Sequence, residues 1–69
     1  PEVRVNCVTP GGLLRGQPEE FIKRYERQVP LGRMGREEDL IGPALFLLSD
    51  SSAYITGHNL VCDGGFTIW

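Results

Sequence analysis

Sixty-nine residues make one small domain at most, and a net charge of −2 with a pI near 5.2 leaves no basic stripe to collect nucleic-acid phosphates. Apolar residues at 41% and charged residues at 23% give a globular balance rather than a disordered one. No apolar run approaches the roughly 18 residues of a membrane span. Domains this small bury only about 60% of their unfolded surface and are usually stapled by a disulfide, a metal or a partner. The two cysteines, Cys7 and Cys62, fall in strand-like stretches at a spacing that matches no zinc pattern, so they are expected as buried free thiols. The chain begins at Pro1 without an initiator Met, so it carries no information about a signal peptide.

In chain order, residues 3–8 read as a strand, with Val3, Val5 and Cys7 on one face and Arg4, Asn6 and Val8 on the other. Pro10 cannot donate to a ladder and ends it, and Gly11-Gly12 lets something approach the backbone closely. A strand that stops at a glycine pair with a helix soon after describes the carboxyl edge of a parallel sheet, where ligands bind in open α/β folds; the alternative for Pro-Gly-Gly alone is an ordinary tight turn. Leu13 and Leu14 then sit at the mouth of the strand, as a lid or packed back on their own helix.

The first helix opens with Pro18 at its first position, carries Glu19 and Glu20 in its first turn, and stops at Pro30. Phe21, Ile22, Tyr25 and Val29 form its apolar face, and Glu20 with Arg24 makes an i,i+4 pair. After the loop Leu31-Gly32-Arg33-Met34-Gly35, a second helix starts near Arg36 to Asp39, with Glu37 and Glu38 as capping charge. Leu40, Ile41, Ala44, Leu45, Leu47 and Leu48 give it a broad apolar face. Pro43 is tolerated if the helix begins near Asp39 or Leu40, among the donors that have no partner in any case. A polar break (Ser49-Asp50-Ser51-Ser52), a turn with Tyr54 and Ile55 as buried anchors, a strand over residues 58–63, Gly64-Gly65 and the apolar tail Phe66-Thr67-Ile68-Trp69 complete the chain.

Strand, helices and strand imply a parallel pair. Two strands cannot close a core over this much apolar helix surface, so the chain reads as a piece of a larger α/β sheet. The catalytic motifs are missing. Gly11 to Gly16 has Walker-like glycine spacing, but Gln17 stands where the lysine is required. No G-x-S-x-G elbow surrounds the serines. His58 is the only histidine and reads as a strand-edge residue, and no lysine lies one turn after Tyr25 or Tyr54.

Six stretches taken together, in order, resemble the carboxyl-terminal quarter of the short-chain dehydrogenase/reductase family. They are Arg4-Val5-Asn6-Cys7-Val8-Thr9-Pro10-Gly11, Pro30-Leu31-Gly32-Arg33-Met34-Gly35, Glu38-Asp39-Leu40, Phe46-Leu47-Leu48-Ser49-Asp50, Tyr54-Ile55-Thr56-Gly57 and Val61-Cys62-Asp63-Gly64-Gly65. The resemblance runs through essentially all of residues 1–69. It implies an α/β fold: the C-terminal βαβ part of a Rossmann-type doubly wound parallel sheet, an incomplete domain whose two strands are its sixth and seventh. It also implies a parent enzyme in the cytoplasm that uses NAD or NADP to interconvert an alcohol and a ketone on a small-molecule substrate. The glycine-rich cofactor loop and the Asn, Ser, Tyr and Lys catalytic groups would lie upstream of Pro1, leaving no catalytic residue in this chain.

By the same resemblance Pro10 and Gly11 pack on the nicotinamide side of the cofactor, and the Leu13 backbone amide reaches the carboxamide. The family often has Thr five residues after the proline; here Arg15 stands there and could hold the phosphates by charge instead. Residues 12–17 match the start of a short substrate lid. The second helix, last strand and tail would pack in a homo-dimer or homo-tetramer. The alternative is a stand-alone, non-catalytic βαβ dimerisation or binding module.

Overall fold

The computed structural model describes residues 3–68. Pro1, Glu2 and Trp69 lie outside the described residues, and with them the lead-in and the end of the expected tail. The elements run β1 (Cys7–Pro10), α1 (Glu19–Gln28), α2 (Glu38–Leu48), a 3₁₀ turn (Asp50–Ser52), β2 (Asn59–Cys62) and a second 3₁₀ turn (Phe66–Ile68). The strands pair in parallel, as expected, with Cys7 opposite Asn59 and Pro10 opposite Cys62. α2 packs across both strands. No helix among the described residues is long and apolar enough to cross a membrane.

β1 is shorter at its start, and runs further, than the expected strand over residues 3–8. Its first residues have no ladder partner, because they lie beside the turn that precedes β2. The Val5 carbonyl accepts the Gly57 N–H at 2.7 Å, and the Asn6 side chain joins the Ile55 carbonyl (3.1 Å) to the His58 N–H (2.9 Å). At the far end the ladder passes through Pro10, because the next donor, the Gly11 N–H, reaches the Cys62 carbonyl at 3.0 Å. The alternation holds, with Arg4, Asn6 and Val8 half-buried and Val3, Val5 and Cys7 exposed. Cys7 is therefore not a buried thiol, and Cys62 is only half-buried; both are free. Tyr54, expected as an anchor, is fully exposed.

In α1, Pro18 stands at the cap (φ −56°, ψ 145°) rather than inside the helix, and its carbonyl accepts the Ile22 N–H at 3.1 Å. The i,i+4 pair formed is Glu19 with Lys23 at 3.2 Å, one residue earlier than expected. Ile22 and Tyr25 are half-buried and Val29 is buried at the helix end. α2 begins earlier than Pro43 would prefer. Glu38 is its first residue, and its first turn is drawn tight, with the Asp39 and Leu40 N–H groups donating to the Arg36 and Glu37 carbonyls, both at 3.0 Å. Pro43 thus sits inside the helix, where it cannot donate to the Asp39 carbonyl one turn back.

The broad apolar surface of α2 divides. Leu47 is buried and Leu40, Pro43 and Ala44 half-buried, while Ile41, Leu45 and Leu48 point outward. Only Val29, Met34 and Leu47 form the fully buried apolar core of the described residues. The molecule is a thin slab of 48 × 24 × 14 Å with a radius of gyration of 14.3 Å, against about 11 Å for a compact domain of this length. This sheet and its helices bury too little apolar surface to make a closed two-layer domain.

Candidate functional site

Parallel strands end at a common edge, and both strands here end in glycine pairs: Gly11-Gly12 after β1 and Gly64-Gly65 after β2. The two turns touch. A Cβ on Gly11 would lie 2.7 Å from the Asp63 Cβ and 2.8 Å from its Cα. A Cβ on Gly12 would lie 2.5 Å from the Cζ of Tyr25, whose hydroxyl accepts the Gly12 N–H at 2.6 Å. The close approach that the glycines permit is thus, first, between parts of the chain itself. Gly64 adopts φ +65°, and its carbonyl accepts the Leu31 N–H at 3.1 Å, tying the loop after α1 to the same edge.

That loop also pairs with the segment leaving β1. The Gly35 N–H donates to the Gly12 carbonyl and the Leu14 N–H to the Gly35 carbonyl, each at 2.8 Å, forming a parallel bridge between Leu13 and Gly35. Both bonds of the bridge use the residues flanking Leu13, so its own N–H faces the opposite side. On that side the Leu13 carbonyl accepts the Gln17 side-chain amide at 2.8 Å, and the Gln17 carbonyl oxygen accepts the Arg15 N–H at 2.7 Å. Gln17 thereby ties the short segment into a compact turn.

Between these pieces lies a cavity of about 180 Å³, lined by Gly12, Tyr25, Arg33, Asp39, Cys62 and Asp63 among others. Its two carboxylates are committed. Asp63 accepts from the Thr67 hydroxyl (2.8 Å), the Gly65 N–H (2.9 Å) and the Thr67 N–H (3.1 Å). The Thr67 hydroxyl first, and then the Gly65 N–H, hold Asp63 below the usual carboxylate range. Asp39 takes both arms of the Arg33 guanidinium, at 2.7 and 2.9 Å, and the Arg36 N–H at 2.8 Å. The Arg33 bond, seconded by the Arg36 N–H, pulls it far below that range, and the same pairing raises Arg33. Both acids stay ionised near neutral pH and serve as acceptors, not proton shuttles.

Pro10, Gly11 and Leu13 lie together at the carboxyl edge, with Pro10 exposed and the other two half-buried. The Arg15 side chain turns away toward the start of α2, where it pairs with Glu37 at 2.9 Å. Both partners are more than half exposed, at 60% and 72%, so this bond is weak and exchangeable. His58 stands exposed just before β2, outside this edge. Among the described residues no three His, Cys, Asp or Glu side chains gather to hold a metal.

Two features of the site escape the sequence pattern. Tyr25 reads as one more residue on an apolar face; the signal it carries is a phenol among apolar neighbours, which calls for a hydrogen-bond partner. The Arg33–Asp39 fork has a partial signal in the spacing of Asp39 from Arg36, typical of a carboxylate capping a helix start.

A family model described as enoyl-(acyl carrier protein) reductase matches residues 1–67. The chain is 53% identical to a short chain dehydrogenase from Leptospira borgpetersenii solved with bound NAD+, with a TM-score of 0.90 over 93% of this chain and 25% of that one. It is 40% identical to a 2,5-dichloro-2,5-cyclohexadiene-1,4-diol dehydrogenase of Sphingobium indicum, over 96% of this chain and 28% of that protein. It is equally 40% identical to the L-rhamnose 1-dehydrogenase (NADP(+)) of Thermoplasma acidophilum, with the same 96% and 28% coverage. The chain thus spans a little more than a quarter of the length of the curated relatives it matches.

Proposed function

The chain belongs to the short-chain dehydrogenase/reductase family, and on that premise we propose that it forms the nicotinamide-side wall and the start of the substrate lid in an NAD(P)-dependent oxidoreductase that interconverts an alcohol and a ketone. Its strands and helices are part of a Rossmann-type α/β sheet. The relatives named above are dehydrogenases, one solved with NAD+ and one named for NADP+.

The observation that carries this reading is the meeting of Pro10, Gly11 and the outward-facing Leu13 N–H at the carboxyl edge of a parallel pair. These residues fit a nicotinamide: an exposed proline ring offers an apolar face, and one backbone amide offers a donor. Pro10 and Gly11 would hold its ring side, Leu13 its carboxamide, and Arg15, released from Glu37, its phosphates. The bound cofactor supplies hydride transfer; this chain's own residues bind, orient and exclude water, while the segment alone is inactive. The outward Ile41, Leu45 and Leu48 face of α2 supports assembly as a homo-dimer or homo-tetramer. The free thiols Cys7 and Cys62 suit a reducing cytoplasm.

The test is a fluorescence titration of the full-length protein with NADH and NADPH, followed by an alcohol screen read as reduced cofactor at 340 nm. Micromolar binding weakened by Arg15→Ala, with turnover of an alcohol, is expected. A protein that binds neither nucleotide would overturn the reading.

A further inference from the structure

We infer that the Tyr25 hydroxyl latches α1 onto the Pro10-Gly11-Gly12 turn, making Tyr25 a positioning residue for the substrate side of the site; the inference rests on the reading of that turn as the cofactor-side wall. The two helices are held differently. α2 packs along both strands, whereas α1 packs along neither. α1 is fastened at its end by the buried Val29 and the Leu31–Gly64 bond. One turn earlier it reaches the site through Tyr25.

The phenol oxygen accepts the Gly12 N–H at 2.6 Å, and the ring occupies the space that a Gly12 side chain would need. Gly12 neighbours Leu13, so the latch and the proposed cofactor contact share one stretch of backbone. The ring plane is also set by stacking, on Phe66 outside the helix (centroids 5.2 Å, 14°) and on Phe21 of α1 itself (6.2 Å, 26°). The hydroxyl therefore adds one directed bond to a ring already in place. With the bond made, α1 lies against the turn and closes one side of the cavity. With it broken, the stack on Phe66 alone holds the front of α1, where Phe21 is already 46% exposed, and that end lifts more often.

Tyr25→Phe in the full-length protein removes the bond and keeps the stack. A net hydrogen bond corresponds to about a 3–10-fold effect. Limited trypsinolysis at Lys23, Arg24 and Arg27, which are exposed but protected while the α1 backbone stays helical and docked, is expected to speed up by about that factor with an unchanged melting temperature. In turnover, substrate KM rises by a similar factor while kcat changes by less than about twofold. Cleavage and KM at wild-type values would overturn the latch. So would faster cleavage throughout the protein with a lowered melting temperature, which marks a merely structural tyrosine. On the unmodified protein, hydrogen exchange of the Gly12 amide at the common rate of the α1 amides is expected, and exchange at the rate of β1 would overturn it. The proteolysis and exchange readings need no turnover, so they decide the latch even if the oxidoreductase reading fails.

Discussion

The Arg4 guanidinium donates to the Ser52 carbonyl at 2.7 Å and to the Ser52 hydroxyl at 3.1 Å, joining residues 48 positions apart. It also reaches the carbonyls of Ile55 (3.0 Å), Leu47 (3.2 Å) and Ser49 (3.2 Å). These carbonyls belong to the end of α2 and the turns after it, where the helix leaves acceptors unpaired and its dipole is negative. A cation from the segment leading into β1 thus finishes the helix that covers the sheet, over a Ser52 that is 1% exposed. The clamp fixes the end of α2 against the start of the strand segment, at the end of the sheet away from the Pro10-Gly11-Gly12 turn.

Arg4→Ala is therefore expected to destabilise the full-length protein by about 2–3 kcal/mol, the loss of charged hydrogen bonds with acceptors left behind. Arg4→Lys recovers only part of this, because an ammonium cannot span five acceptors as a planar fork does. Denaturant unfolding of the three proteins checks the order; equal midpoints would contradict it.

Acid sensitivity follows from the two committed carboxylates. Asp39 and Asp63 both have folded values below the ordinary one. Their contribution to stability is complete above the unfolded carboxylate value of about 3.9 and is lost as pH falls from there through the depressed folded values. Melting temperature should drop below about pH 4, and Asp39→Asn should lower it at neutral pH while flattening that acid slope. An unchanged slope in the variant would assign the acid loss to other groups.

The glycine pair separates into two substitutions of unequal cost. Gly11→Ala drives a methyl into the Asp63 backbone, which cannot move without breaking the sheet edge. Gly12→Ala meets the end of the Tyr25 side chain, which can swing aside. Gly11→Ala should cost about 2–3 kcal/mol and Gly12→Ala less, with faster α1 proteolysis in the second. Thermal melts of both decide it; the reverse order would show that the Asp63 backbone yields to the added methyl more easily than the Tyr25 ring does.

The 69-residue segment alone is expected to melt without a cooperative transition and to show no measurable NADH binding. Among the described residues three buried apolar side chains leave too little burial to offset chain entropy, and both α1 and α2 open on acidic first turns (Glu19 and Glu20; Glu38 and Asp39), which disfavour phosphate at their N-termini. Calorimetry and an NADH titration test this; a sharp transition or micromolar affinity would refute it.

Much of the architecture was legible in the residues. The strand, two-helix, strand order follows from the Val3 to Val8 pattern, the Pro18 and Pro30 boundaries and the α2 leucines. Pro10-Gly11-Gly12 marked a turn after the first strand, but by itself it read equally as an ordinary tight turn; the ordered motifs around it were needed to read it as a carboxyl-edge turn. Strand ends were less legible, since β1 starts where β2 begins to offer partners, 52 residues away at Asn59. The exposure of Tyr54 and Cys7 was hidden for a related reason: a pattern shows which residues share a face, but not what stands opposite it.

The sequence by itself determined the local grammar: which stretches become helix or strand, where proline and glycine end them, and which family the ordered motifs resemble. Those choices depend on neighbours a few residues apart. Tertiary structure alone decided that Tyr25 sits on Gly12 and that Arg4 clamps the end of α2. Each of these joins a directed polar group to a partner whose position exists only once the backbone between them has folded, and hydrogen-bond geometry leaves no periodic trace in a chain.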